Sequence, residues 1–235
     1  MAEPLADAPV LVITGNAVEG PPERNLVVRA YQLLAADYDL PPVSIRLHKT
    51  IPSQAGMGGG SSDGAFMLRL LNDQFQLGID TPRLQQYAMK LGADCPFFIT
   101  SEPAYATGIG EQLEPLPHLS QQLSGLYIAI VKPPVAVSTR DAYAAISPCK
   151  PDHCCRDIVA EPVAEWRNLL TNDFEPPLFA MHPQLAAIKA QLYDMGAIYA
   201  QMSGSGSALF GLFTSMPQQL ERTFPDCFTY AAQLS

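Results

Sequence analysis

One stretch constrains this chain more than any other: Ile51-Pro-Ser-Gln-Ala-Gly-Met-Gly-Gly-Gly-Ser61-Ser-Asp63. Four glycines fall within five residues, from Gly56 to Gly60. Each glycine gives up more backbone freedom on ordering than any other residue, so the run is expected to be neither helix nor strand. Glycines are tolerated where backbone must approach a ligand closely or aim successive N–H groups at an anion. Ser61 and Ser62 add hydroxyl donors, and Asp63 to Phe75 reads as a helix with Phe66, Leu68, Leu70 and Leu71 among its apolar residues. Before the loop, Val43 to Lys49 alternates as a half-buried strand does. The loop is therefore expected at a helix N-terminus, where unpaired N–H groups and the helix dipole favour negative charge.

Three readings compete for it. A Walker loop requires a lysine directly after its glycines, and none stands here. A dinucleotide fingerprint counted from Gly56 requires glycine at position 61, which is serine. A flexible linker would not be wedged between a periodic strand and a periodic helix. Phosphate binding is the favoured reading, with a flexible linker as its alternative.

With 235 residues, the chain is long enough for a substantial core in one or two domains. A net charge of −9 and a pI near 4.8 argue against nucleic acid or an anionic membrane as partner. A phosphorylated ligand therefore needs a local positive field, from loop amides and cations such as Lys49. No apolar run reaches the roughly 20 residues of a membrane span, and Met1 to Val12 has neither the basic nor the apolar part of a signal peptide. Five unpatterned cysteines fit a reducing compartment, so the cytoplasm is expected. Cys149, His153, Cys154 and Cys155 invite a zinc reading, but their spacing matches no common structural site, and a solvent loop is expected instead.

Neither internal repeats nor low-complexity segments occur. Thr81 is read as a helix cap with Pro82 in the first turn and Gly92 as the stop; Pro183 opens a second helix that Gly196 closes. Strands are expected at Val10–Thr14, Val43–Lys49, Leu126–Val131, Ile198–Met202 and Ala208–Phe213. The stretch from Pro115 to Ser124 is read as the inter-domain passage, separating domains at 1–117 and 124–235. The class is α+β. Met202 to Ser207 carries a second glycine cluster between two strand patterns, a tight connection using Gly204 and Gly206.

The residues around the first loop narrow its reading. Lys49-x-Ile-Pro followed by Ala-Gly-Met-Gly-Gly-Gly-Ser-Ser resembles the nucleotide-binding loop of the GHMP kinase superfamily of small-molecule kinases. Four further segments are similar to the branch that phosphorylates a cytidine-diphosphate-bearing polyol: Leu91-Gly-Ala-Asp-Cys-Pro-Phe-Phe98, Ala106-Thr-Gly-Ile-Gly-Glu111, Val137-Ser-Thr-Arg-Asp-Ala-Tyr143 and Met202-Ser-Gly-Ser-Gly-Ser207 with Phe210. Asn172-Asp-Phe-Glu175 and the Asn25-Leu-Val-Val-Arg-Ala30 helix start fit the same order. The resemblance runs from about Thr14 to about Phe213.

It implies a two-domain architecture, a ribosomal protein S5 domain 2-like N-terminal domain and an α/β-sandwich C-terminal domain. It implies ATP, with magnesium, as phosphoryl donor and a small-molecule alcohol as acceptor, and leaves metal ligands and oligomeric state open. For ATP it implies Pro52, Ser53, Gln54, Ala55, Gly56, Met57, Gly58, Gly59, Gly60, Ser61 and Ser62, with Asn25 and Lys49 around the base. For substrate it implies Thr139 and the turn Ser203, Gly204, Ser205 and Gly206.

Asp94 is the candidate general base. It follows the Gly92 helix stop and enters the apolar run Cys95-Pro-Phe-Phe-Ile99, where a carboxylate is costly without partners or a task. A capping role competes for Asp94 on local grounds; the resemblance favours catalysis. Asp63 is expected in the first turn of its helix, suiting the dipole.

The family's opening Pro-x-Ala-Lys-Ile-Asn-Leu strand and the Gly-Tyr-His segment behind it do not occur in this sequence. With them go a lysine that partners the aspartate and an aromatic wall of the cytidine pocket. Two alternatives therefore stand beside a working kinase of this branch: a catalytically incomplete nucleotide-binding remnant or mis-started fragment, expected to show little turnover, and a GHMP kinase for another alcohol. In-frame coding DNA upstream of Met1 separates the first from a longer enzyme.

Overall fold

The computed structural model describes residues 9–147 and 151–235, in two compact units. The first contains residues up to 53 and 58–115; the second contains 116–235 together with Gln54–Met57 from the glycine loop. Cys149 lies outside the described residues.

In the first unit, β1 (Val10–Gly15) leads through a single 3-10 turn into α1 (Leu26–Ala35), and the chain returns as β2 (Ser44–Lys49). The two strands pair in parallel, Val10 opposite Ser44 and Gly15 opposite Lys49. Next come α2 (Gly59–Gln74), α3 (Thr81–Leu91) and the short α4 (Phe97–Thr100), then a hairpin of β3 (Ala104–Thr107) and β4 (Gln112–Pro115). Leu34, Leu68, Tyr87, Leu91 and Cys95 form the centre of its core.

Helix α2 begins four residues earlier than the sequence reading puts it, so two of the loop's glycines are helical. Gly58 takes the left-handed conformation at the helix start, with φ +62°. The first turn is then Gly59-Gly60-Ser61-Ser62, which moves Asp63 out of it. Two helical glycines cost about 1 kcal/mol each relative to alanine, and tertiary burial along sixteen residues offsets that cost. Close packing is one source: a Cβ on the buried Gly64 would come within 2.9 Å of Leu26 Cβ on α1.

Helix α3 starts as expected, except that Asp80 rather than Thr81 is the cap, its carboxylate accepting the Arg83 N–H at 2.9 Å. The stretch read as a passage is instead helical, α5 (Pro117–Leu123), and clusters with the second unit. Strand β5 (Tyr127–Lys132) follows, then α6 (Thr139–Ala145), α7 (Cys155–Ile158), α8 (Trp166–Leu169), α9 (Glu175–Met181) and α10 (Pro183–Asp194). The chain finishes with β6 (Tyr199–Met202), β7 (Leu209–Phe213), α11 (Leu220–Thr223) and β8 (Phe228–Gln233). The four strands form one antiparallel sheet in the order β6-β7-β5-β8. Alternate residues Ala129 and Val131 of β5 point into a core with Leu178, Leu185, Leu192 and Leu209. No described helix is long and apolar enough to cross a membrane.

Candidate functional site

In the first unit the glycine helix start and Asp94 are tied together by side chains. Helix geometry leaves the Gly59, Gly60 and Ser61 N–H groups without intrahelical acceptors, whereas the Ser62 N–H already donates to the Gly58 carbonyl at 2.8 Å. Three amides and a helix dipole therefore converge on one point. The ring of Phe98 packs against Gly58, and any Cβ there would come within 2.8 Å of it. The Ser61 hydroxyl lies beside the thiol of Cys95, a residue with no solvent exposure. Burial pushes that thiol upward from its ordinary value, against the lowering effect of the Ser61 contact.

Asp94 immediately precedes Cys95 and lies exposed in the turn after α3. The carboxylate is thus solvated rather than buried in the apolar run, which departs from the sequence reading. Cys95, Pro96 and Ile99 take the burial and Asp94 is displayed beside them. A Cβ on Gly110 (φ +108°) would lie 3.8 Å from Asp94 Oδ1, so the β3–β4 turn also approaches this carboxylate.

Lys49 is 5 % exposed and ion-pairs with Asp63, one helical turn behind the glycines. Its ammonium is 3.2 Å from the position a Cβ on Gly59 would occupy. The pair carries no net charge, and one donor of the ammonium goes to Asp63. Asn25 is engaged as well: its side chain caps α1, accepting the Val27 N–H at 3.1 Å.

The second unit holds the rest. Gln54 is a non-glycine residue in the left-handed region, φ +51°, a strained conformation of order 1–3 kcal/mol of the kind found at ligand clamps. Ala55 is buried and its carbonyl accepts the Ala208 N–H at 3.0 Å. The Gly56 carbonyl accepts the Ser203 hydroxyl at 2.8 Å. A side chain on Gly56 (φ +70°) would come within 2.0 Å of the Ser203 carbonyl oxygen, so only glycine fits. Gly56 and the second glycine cluster, far apart in sequence, meet here. Thr139, the first residue of α6, faces the same turn, its hydroxyl 3.5 Å from that of Ser205. Pro52 and Ser53 lead into the loop and Met57 leaves it, all three at least partly accessible.

The chain matches the family model described as the GHMP kinases N terminal domain over residues 25–102 and that of the GHMP kinases C terminal over 156–226. The chain belongs to the GHMP kinase family. It is similar to a protein of Bacteroides fragilis named 4-diphosphocytidyl-2-C-methyl-D-erythritol kinase, with 48% identity over 96% of this chain and 81% of that protein. A Bacteroides thetaiotaomicron protein of the same name is 51% identical over 85% of this chain and 72% of its own length. Among solved structures, one titled 4-(cytidine 5'-diphospho)-2C-methyl-D-erythritol kinase superposes with TM-score 0.77 at 29% identity, covering 98% of this chain and 84% of its own. A homoserine kinase from Cytophaga hutchinsonii shares the fold at TM-score 0.66 and 17% identity, covering 97% and 82% of the two chains. The two units thus carry the two-domain fold of this family of ATP-dependent small-molecule kinases.

Three contacts of the candidate site escaped the sequence reading. The Ser61–Cys95 link pairs a loop serine with a cysteine that reads as an ordinary core residue. Gly110 stands in a segment noted only for its resemblance. Asn172 and Glu175 stand in another such segment, and no local pattern announces what they hold.

Proposed function

We propose that this chain is a kinase that transfers the γ-phosphoryl group of ATP to the 2-hydroxyl of 4-diphosphocytidyl-2-C-methyl-D-erythritol, in the non-mevalonate route to isoprenoid precursors. Relatives at 48% and 51% identity bearing that substrate's name support the acceptor. The observation that carries the chemistry is the packing of the Asp94 turn against the amide-rich start of α2, with the Phe98 ring on Gly58 and Cys95 beside Ser61.

Phosphoryl transfer asks a protein for alignment, neutralised oxygens and an acceptor for the hydroxyl proton. The Gly59, Gly60 and Ser61 amides receive the triphosphate, with the Ser61 and Ser62 hydroxyls beside them. The dipole of α2 offsets the incoming negative charge, with the ammonium of the Lys49–Asp63 pair beside Gly59. Asp94 accepts the proton as the substrate oxygen attacks the γ-phosphorus, and ADP departs. Thr139 and the Ser203–Gly206 turn contact the alcohol substrate; Asn25, though engaged as a cap, stands on the base side of the nucleotide, whereas Lys49 lies against Gly59 at the phosphate end. Among the described residues no three His, Cys, Asp or Glu side chains cluster as a metal cage. Magnesium is read as part of the nucleotide substrate, held chiefly by phosphate oxygens and water with at most one or two protein carboxylates. The odd, unpatterned set of five cysteines in the sequence supports a reducing, cytoplasmic location.

The test is Asp94→Asn, assayed on this chain with whatever in-frame coding sequence precedes it, against the named alcohol, homoserine, mevalonate and galactose. Turnover is expected with the first alone, lowered about a hundredfold or more by Asp94→Asn, with ATP affinity nearly unchanged. An Asp94→Asn enzyme retaining most of its turnover would make the aspartate structural, and preference for another alcohol would reject the substrate.

A further inference from the structure

The Ser203–Gly206 turn is gripped from behind by residues that nothing above assigns to the reaction. The side-chain amide of Asn172 donates to two backbone carbonyls, those of Met202 and Gly204, each at 2.8 Å. Its own oxygen accepts the Phe174 N–H at 2.9 Å, which fixes the amide's orientation. Glu175 is buried, and one carboxylate oxygen accepts the Met202 N–H at 2.9 Å while the other meets the Lys189 ammonium at 2.6 Å. Both faces of the Met202 peptide are therefore tied to the Asn172–Glu175 segment. The gripped turn in turn holds Ala55 and Gly56, through Ala208 N–H and the Ser203 hydroxyl.

We propose that Asn172 is a positioning residue for phosphoryl transfer: by fixing the Met202 and Gly204 carbonyls it aims the Ser203 hydroxyl, which sets the Ala55–Gly56 half of the nucleotide loop. This rests on the reading of that loop as the triphosphate site. Chemistry makes Asn172 hard to replace. Only a planar side-chain amide of this length offers two N–H donors to two carbonyls and an acceptor to a third group at once. A carboxylate of the same shape turns both donors into acceptors and opposes oxygen to oxygen. A solely scaffolding asparagine would affect melting temperature without affecting how tightly the folded protein holds ATP.

The experiment is a double-mutant cycle of Asn172→Asp and Ser203→Ala on the full chain, read by calorimetric titration with ATP. Each hydrogen-bond loss is expected to weaken ATP binding by up to about tenfold. The double variant should bind no more weakly than Asn172→Asp alone, because both act through one contact. Lowering the pH should partly restore Asn172→Asp relative to the unmodified chain at the same pH, since a protonated carboxyl regains one donor. Independent, multiplying losses would overturn the proposal, as would wild-type ATP affinity in Asn172→Asp. If that variant does not fold, Asn172→Ser, too short to reach both carbonyls, takes its place in the cycle. Gly60→Asp, which lies outside this network, separates the two claims. If Gly60→Asp spares ATP binding, the loop reading fails; if it abolishes binding while the Asn172 variants bind normally, only the positioning role fails.

Discussion

Gly60 permits a clean separation of folding from nucleotide binding. It is exposed in the first turn of α2, and a Cβ built on it meets nothing within 4 Å. Gly60→Ala should therefore fit without strain and stabilise the helix by up to about 1 kcal/mol. Gly60→Asp should fit equally well, and its negative charge near the helix N-terminus adds about 0.3–1 kcal/mol of stability. For ATP the sign reverses. A carboxylate about 6 Å from a phosphate oxygen costs roughly 0.7 kcal/mol at the dielectric of water and about 3 kcal/mol at an effective value of 20. An exposed site open on one side lies between these limits, so ATP affinity should fall about ten- to a hundredfold. Thermal melts and calorimetric titration with ATP, run on the unmodified chain and both variants, give the comparison. The expected pattern is two variants at least as stable as the parent, of which only Gly60→Asp loses ATP, with the loss shrinking as salt rises. A stable Gly60→Asp protein with undiminished ATP affinity would refute the assignment of the triphosphate to this helix start.

Two further outcomes follow from buried groups. Burial, first, and the hydrogen bond it donates to Asp37 push the Tyr87 hydroxyl up to about 12. The folded state keeps that proton after an unfolded tyrosine has lost it, so stability should decline as pH rises from about 10 to 12; alkaline melts of Tyr87→Phe should show a shallower decline. Breaking the Lys49–Asp63 pair by Lys49→Met strands a partly buried carboxylate, and should lower stability by about 3–5 kcal/mol in urea unfolding. An unaltered midpoint would mean that solvent already serves Asp63.

Much of the scaffold was legible because its punctuation is strong. Pro82 and Gly92 bracket α3, Pro183 and Gly196 bracket α10, and five strands were readable from their alternation. Three strands were not anticipated: β3 and β4 span four residues each, around a turn containing Gly108 and Gly110, with few large apolar side chains, and β8 (Phe228–Gln233) follows its two aromatic residues with Ala231, Ala232 and Gln233. Residues 116–123 looked like a connector because Pro115 and Pro117 suggest extended chain, yet Pro117 occupies the tolerated first turn of α5. The glycine loop's position was legible, but the start of α2 was not, since local propensity forbids helical glycines that tertiary packing permits. The grip of Asn172 on the second glycine turn could not be read locally at all. Its partners lie 30 and 32 residues away, a distance no periodicity spans.

The hydrogen bond from the Ser203 hydroxyl to the Gly56 carbonyl joins residues 147 apart in the chain. Closing so long a loop carries an entropic cost that local contacts do not repay, which delays such pairings in folding. During synthesis the helices around Leu34, Leu68 and Tyr87 leave the ribosome with every partner they need, whereas Ala55 and Gly56 wait for residues 203–208. A nascent chain that has completed its first unit therefore still lacks the residues that hold Ala55 and Gly56. On the reading of that loop as the triphosphate site, a ribosome stalled before β7 would display the Gly59–Ser61 amides with the Ala55–Gly56 half of the loop unheld.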